Sequence, residues 1–207
     1  NVSYEVASMC DTAGVAMHGI ELAGVTPGGT AVVIGPGPIG LCAMQIARGM
    51  GSGRVIMIGR GGKLAFAGEM GADELIDFEQ EDVVKRVLEL TDGIGADEVF
   101  ECSGDNAVPM KACHMVRKTG RIALIANYRE DREQFQLPLN KIVFNELKIF
   151  GSKANPNASE TVLKFFSNGT IDGEALVTHI FPLEEYEKAL EVFENKRGNV
   201  RKVVVVP

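Results

Sequence analysis

From Thr30 onward the chain alternates short β-branched runs with longer stretches of helical period. That alternation predicts a parallel sheet covered by helices. The strand-like runs are Ala31–Ile34, Arg54–Ile58, Asp97–Glu101, Arg121–Ile125 and Leu147–Phe150, with a weaker one at Glu74–Ile76. Between the first two, Ile39, Cys42, Ile46 and Met50 recur every three or four residues, which gives Pro38–Met50 one apolar helical face. Pro38 suits the first turn of that helix. Val83, Val84, Val87 and Leu88 behind Asp82 predict a second helix to about Thr91, with Asp82 as N-cap. Asn106–Val116 can supply a further crossover.

After Gly151 the pattern changes. A helix from about Ser159 ends at Asn168-Gly169, and Leu176–Ile180 reads as a strand before Pro182. Leu183, Tyr186, Leu190 and Phe193 then share the inner face of an amphipathic helix, and Val203–Val206 form a closing apolar strand. These last elements are expected to leave the main sheet, and Asn1–Leu22 reads as a helix feeding into the sheet from elsewhere.

Gly35-Pro36-Gly37-Pro38-Ile39-Gly40 is a G-x-G-x-x-G directly after a strand and opening a helix. In that setting the first glycine permits a tight turn, the second lets the backbone approach a pyrophosphate, and the third lets the helix pack closely on the strand. The phosphates meet free amides and the positive end of the helix. A dinucleotide is therefore the expected ligand. A chain that takes NAD usually places Asp or Glu about 20 residues past this loop to accept the ribose hydroxyls. Here that place holds Gly59, and Arg60 and Lys63 follow with no carboxylate between Arg54 and Ala67. Absent acid and present cations favour NADP, with NAD the second choice.

Composition narrows the classes. The chain has 207 residues, enough for one sizeable core or one core and part of a second, and its 24 glycines show no collagen period. A net charge of −7 leaves no basic surplus for nucleic acid. No stretch approaches the roughly 18 apolar residues of a membrane span, so a soluble chain of the cytoplasm is expected. Cys10, Cys42, Cys102 and Cys113 form no CxxC pair and lie in apolar segments, which reads as reduced thiols. The first residue, Asn1, leads us to expect a fragment or a processed product.

Several segments together resemble the medium-chain dehydrogenase/reductase superfamily, in its zinc-dependent alcohol and polyol dehydrogenase branch. They are His18-Gly19-Ile20-Glu21-Leu22-Ala23-Gly24-Val25 before Pro27-Gly28, the loop Gly35–Gly40, and Gly71-Ala72-Asp73. Phe100-Glu101-Cys102-Ser103-Gly104, Gly120-Arg121 and the tail Leu176–Glu185 continue the likeness over nearly the whole chain. The resemblance implies a Rossmann-type doubly wound α/β domain inserted into a GroES-like catalytic domain that is mostly absent here. It divides the chain into residues 1–25, a helix leading in from the catalytic domain; 26–152, the NAD(P)-binding core; and 153–207, the last Rossmann helix and the returning tail.

The resemblance further implies hydride transfer between an alcohol and NADP or NAD, with zinc as Lewis acid on the alcohol oxygen. Asp11, seven residues before His18, then matches a zinc ligand; by sequence alone the commoner fate of such an Asp is to cap a helix starting at Thr12. Polyol-specific relatives usually carry Glu-Pro where this chain has Asp11-Thr12, which leans the substrate toward secondary alcohols or ketones. Cys102, Ser103, Ile125 and Ala126 match segments that line the nicotinamide and its ribose. His18, His114 and His179 lack metal-ligand spacing and are read as structural. A homodimer or homotetramer, paired through Leu147–Phe150, is implied as well. Two alternatives stay open: a zinc-free quinone or enoyl reductase of the same superfamily, and a dinucleotide-sensing domain without turnover. A methyltransferase is disfavoured, because it would want an acid at Gly59.

Overall fold

A computed structural model describes residues 1–128, 136–195 and 200–207. The chain enters through two helices, α1 (Tyr4–Ala7) and α2 (Cys10–Ala23), before strand β1 (Thr30–Ile34). It then alternates: α3 (Pro38–Gly49), β2 (Arg54–Gly59), α4 (Gly61–Glu69), β3 (Glu74–Asp77), α5 (Val83–Leu90), β4 (Ala96–Glu101), α6 (Val108–Met115) and β5 (Val116–Leu124). Helix α7 (Leu139–Phe144) precedes β6 (Lys148–Gly151), and α8 (Ser159–Ser167) and α9 (Gly173–Leu176) follow. The tail consists of β7 (Val177–Pro182), a 3-10 turn at Leu183–Glu185, α10 (Tyr186–Asn195) and β8 (Lys202–Val206).

Strands β1 to β6 form one parallel sheet in the order β3-β2-β1-β4-β5-β6. Both faces are covered, as a parallel sheet requires. The alternation of side chains decides which residue serves which face. Ala31, Val33, Val55, Met57 and Phe100 pack with α2, α3 and α8 in one core; Val32, Ile34, Ile56, Ile58 and Val99 pack with α5 and α6 in the other. The expected doubly wound fold is therefore present. Asp82 caps α5 as predicted, its Oδ1 accepting from the amides of Val84 at 2.9 Å and Lys85 at 3.1 Å.

Several expectations need correction. The entry segment is two helices, not one. Strand β5 starts five residues earlier than the apolar run suggested and ends at Leu124, so Ile125 lies just past it. Helix α2 begins at Cys10 with Met9 as its cap residue, so Asp11 sits inside the first turn and does not cap it. The tail does leave the main sheet, β7 pairing in parallel with β8 alone. Its 3-10 turn and helix, however, hold the expected apolar stripe outward: Leu183 of the turn is 60% exposed, and Tyr186 54%, Leu190 40% and Phe193 58% on α10, where Ala189 is the buried residue. Among the described residues no helix is long and apolar enough to cross a membrane.

Candidate functional site

The sheet order reverses between β1 and β4, and the cleft outside their carboxyl ends is where open α/β sheets place ligands. A cleft of about 460 Å³ opens there. It is floored by Gly35, Pro36 and Gly37 after β1, walled by Gly59, Arg60 and Lys63 after β2, and closed by Cys102 and Ser103 after β4. Three crossovers of one parallel sheet thus converge at its carboxyl edge.

Each glycine of the loop meets a different constraint. Gly35 has φ +101, and a Cβ there would lie 2.9 Å from the Ser103 backbone, so the turn and the approach of the β4 loop both demand glycine. A Cβ on Gly40 would overlap the Gly35 carbonyl oxygen, which is the close packing of helix on strand. Gly37 is the contrast: a Cβ there would meet nothing within 4 Å. That open face adjoins the start of α3, where Pro38 occupies the first turn and no side chain caps the amides. A polyphosphate fits this cradle, because the free amides and the helix dipole are what an anion needs. Pro38, Ile39 and Gly40 build the helix end and do not line the cleft.

Gly59 owes its identity to packing. A Cβ there would lie 2.5 Å from Pro36 Cδ, inside the ring's contact surface. The proline of the phosphate loop therefore excludes every side chain from the end of β2. Arg60 lines the cleft but is not a free cation: its Nη1 donates to Glu79 Oε1 in a salt bridge, and its guanidinium carbon lies 5.5 Å from the centre of the Phe78 ring. Lys63 lines the same wall.

On the other side, fully buried Glu101 ends β4 and anchors the loop. Its Oε1 accepts from the Ser103 amide at 2.6 Å and the Gly104 amide at 3.1 Å, and from the Ser103 hydroxyl; its Oε2 accepts from the Tyr128 hydroxyl at 2.5 Å. Burial first, then the Glu101 charge, raises the Tyr128 hydroxyl far above its ordinary value, so it stays a donor. Burial likewise lifts the Cys102 thiol, with Glu101 and Cys42 adding to it, and this cysteine is a neutral wall residue rather than a nucleophile.

Ile125 and Ala126 do not line the cleft. Ile125 is buried in the core beneath α2, where a Cβ on Gly19 would lie 2.5 Å from its side chain. Asp11 is exposed and away from the cleft, its Oδ1 accepting from Asn155 Nδ2 at 2.9 Å. Among the described residues no three His, Cys, Asp or Glu side chains are grouped to hold a metal. All four cysteines are free. Sequence reading missed Phe78, Lys111 and Met115, which line the cleft, and Glu79, which faces it through Arg60. An aromatic directly after the strand Glu74–Asp77 was the available signal for Phe78.

Residues 38–168, more than half of the chain, match the family described as zinc-binding dehydrogenase. A sorbitol dehydrogenase of Halalkalibacterium halodurans is 34% identical over 97% of this chain and 58% of its own length. A solved zinc-binding dehydrogenase from Sinorhizobium meliloti 1021, bound to NADP, superposes with TM-score 0.88 at 27% identity over 97% of this chain and 58% of its own. An alcohol dehydrogenase from Escherichia coli CFT073, complexed with NADH, gives TM-score 0.91 at 26% identity over 100% and 60%. The chain thus spans somewhat over half the length of the relatives it matches.

Proposed function

We propose, since this chain belongs to the zinc-binding dehydrogenase family, that its cleft holds a nicotinamide dinucleotide. The chain serves as the cofactor-binding part of a dehydrogenase for secondary alcohols or polyols. The open face of Gly37 beside the uncapped start of α3 carries this reading, because it leaves room for backbone amides to touch paired phosphates. The nicotinamide ring, when bound, supplies the hydride chemistry. The residues of this chain position it. Pro36 over Gly59 fixes the phosphate loop against β2, and buried Glu101 fixes Cys102–Gly104 against the loop from the other side.

NADP is placed ahead of NAD, because Gly59 offers no carboxylate to ribose hydroxyls and Arg60 and Lys63 line the adenosine end. Relatives of this fold bound to NADP and to NADH support either cofactor. Asp11 is assigned one zinc-ligand position and no more. Catalytic zinc takes about three protein ligands, and the described residues group no three, so on their own they do not fit the metal. The four free thiols support a reducing compartment such as the cytoplasm. Strand β6, at the edge of the sheet, with Leu139, Val143 and Phe144 exposed on α7 just before it, supports a homodimer or homotetramer. A monomer by light scattering at high concentration refutes that assembly.

Calorimetric titration of the 207-residue chain with NADP+ and NAD+ tests the cofactor reading. Saturable binding at one site, tighter for NADP+, is expected. No heat with either dinucleotide refutes the cofactor site; equal dissociation constants refute the NADP preference alone.

A further inference from the structure

Pro36 shuts the end of β2 to any acid, yet an acid reaches that wall from the neighbouring loop. Parallel pairing of β2 with β3 sets Gly59 beside Asp77. The Phe78 amide then donates to the Gly59 carbonyl at 3.1 Å, and the Glu79 amide donates to Asp77 Oδ1 at 2.9 Å. These bonds hold the loop after β3 so that the Glu79 carboxylate meets the Arg60 guanidinium while Phe78 lies against it. Arg60 is therefore already neutralised. Lys63, on the same wall, forms no ion pair among the described residues.

We propose that Glu79 is a specificity-determining residue of the cleft: it competes with the 2′-phosphate of NADP for Arg60 and so lowers, without abolishing, the preference for NADP. The inference rests on the cleft being a nicotinamide dinucleotide site. A phosphate monoester brings a charge of about −1.5 to −2. To reach Arg60 it must displace the Glu79 carboxylate or lie beside it, and like charges at close range repel. The hydroxyls of NAD face neither demand. Because both partners are about half exposed, water and salt screen the competition, so its effect is moderate and salt-dependent.

The test is calorimetry of wild type, Glu79→Gln, Arg60→Ala and the double variant with NADP+ and NAD+ at low and high salt. Glu79→Gln keeps the volume and removes the charge at an exposed site; Glu79→Ala checks the same direction without the amide, and circular dichroism confirms the fold of each. The NADP+ dissociation constant should fall roughly tenfold in Glu79→Gln at low salt, and less at high salt, while that of NAD+ stays within about threefold. The gain should vanish in the Arg60→Ala background. An unchanged NADP+ constant overturns the proposal, and so does a ratio that moves only because NAD+ weakens; either result leaves the dinucleotide site standing. If wild type binds neither dinucleotide, the site itself is refuted and the proposal with it.

Discussion

Two alanine substitutions three residues apart, at Gly37 and Gly40 of the glycine loop, should separate folding from binding. In Gly37→Ala the new methyl meets nothing within 4 Å, and the backbone angles there, φ −84 and ψ 178, suit alanine. Alanine is a poorer N-cap than glycine by roughly 0.5–1 kcal/mol, and it lowers the entropy of the unfolded chain by an offsetting 0.4–1 kcal/mol or so. The net change in stability is about zero, which leaves the melting temperature within roughly 2 °C. The methyl nevertheless fills the space through which a phosphate approaches the backbone, so NADP+ and NAD+ should both bind at least about tenfold more weakly. Gly40→Ala is the opposite case. Its methyl overlaps the Gly35 carbonyl oxygen, a backbone atom that cannot rotate away. Overpacking of this kind costs about 1–3 kcal/mol, against a helix-propensity gain of about 1 kcal/mol or less. The shift is also forced on the Gly35 turn, so melting temperature and affinity should fall together. Differential scanning calorimetry and titration calorimetry read both quantities. A Gly37→Ala protein that binds either dinucleotide as wild type does refutes the role given to that open face.

Two other expectations concern buried groups. Fully buried Glu98 accepts from Thr26 Oγ1 at 2.5 Å and from Arg121, so Arg121→Ala strands a carboxylate in the core. That change should cost about 3–5 kcal/mol and lower the melting temperature by more than about 6 °C, and a loss below about 1 kcal/mol refutes the pairing argument. Burial, partly opposed by Lys202, pushes the Cys42 thiol from 9.0 up to about 12. A thiol that holds its proton more tightly when folded stabilises the fold fully below its unfolded value and loses that contribution as pH rises through the folded one. Between pH 9 and about 12 Cys42 should therefore remove about 1.4 kcal/mol of stability per pH unit. Urea midpoints across that range should fall less steeply in Cys42→Ala, by about one proton; an identical slope refutes the assignment.

The parts of the fold that local pattern controls were legible. Ala31–Ile34 is uniformly apolar because both faces of its strand are covered, and Pro38, Ile39, Cys42 and Ile46 mark the following helix by period and by cap. Asp82 announced α5 through side-chain chemistry alone. Helix α4 was hidden because it opens on Gly61-Gly62, residues that favour loops, and its place is set by packing Leu64 and Ala67 against the sheet. The outward stripe of α10 could not be read either, since periodicity says which residues share a face and nothing about what that face meets. In the site, the glycine loop was visible because its spacing, its turn and the contact of Gly40 with Gly35 lie within six residues. The end of β5 was read one residue too far, at Ile125, since where a strand stops depends on its pairing with β4 and not on its own apolar run. Glu79 was invisible because its meeting with Arg60 spans 19 positions and follows from strand register.

The proline seated on Gly59 has a bearing on redesign. An aspartate installed at that position, the obvious graft for turning such a site toward NAD, would strike the pyrrolidine ring and push the loop off its strand, costing whichever dinucleotide was meant to gain. Residues that tune ribose recognition in this scaffold have to be introduced from the adjoining crossover, where a side chain has room to turn.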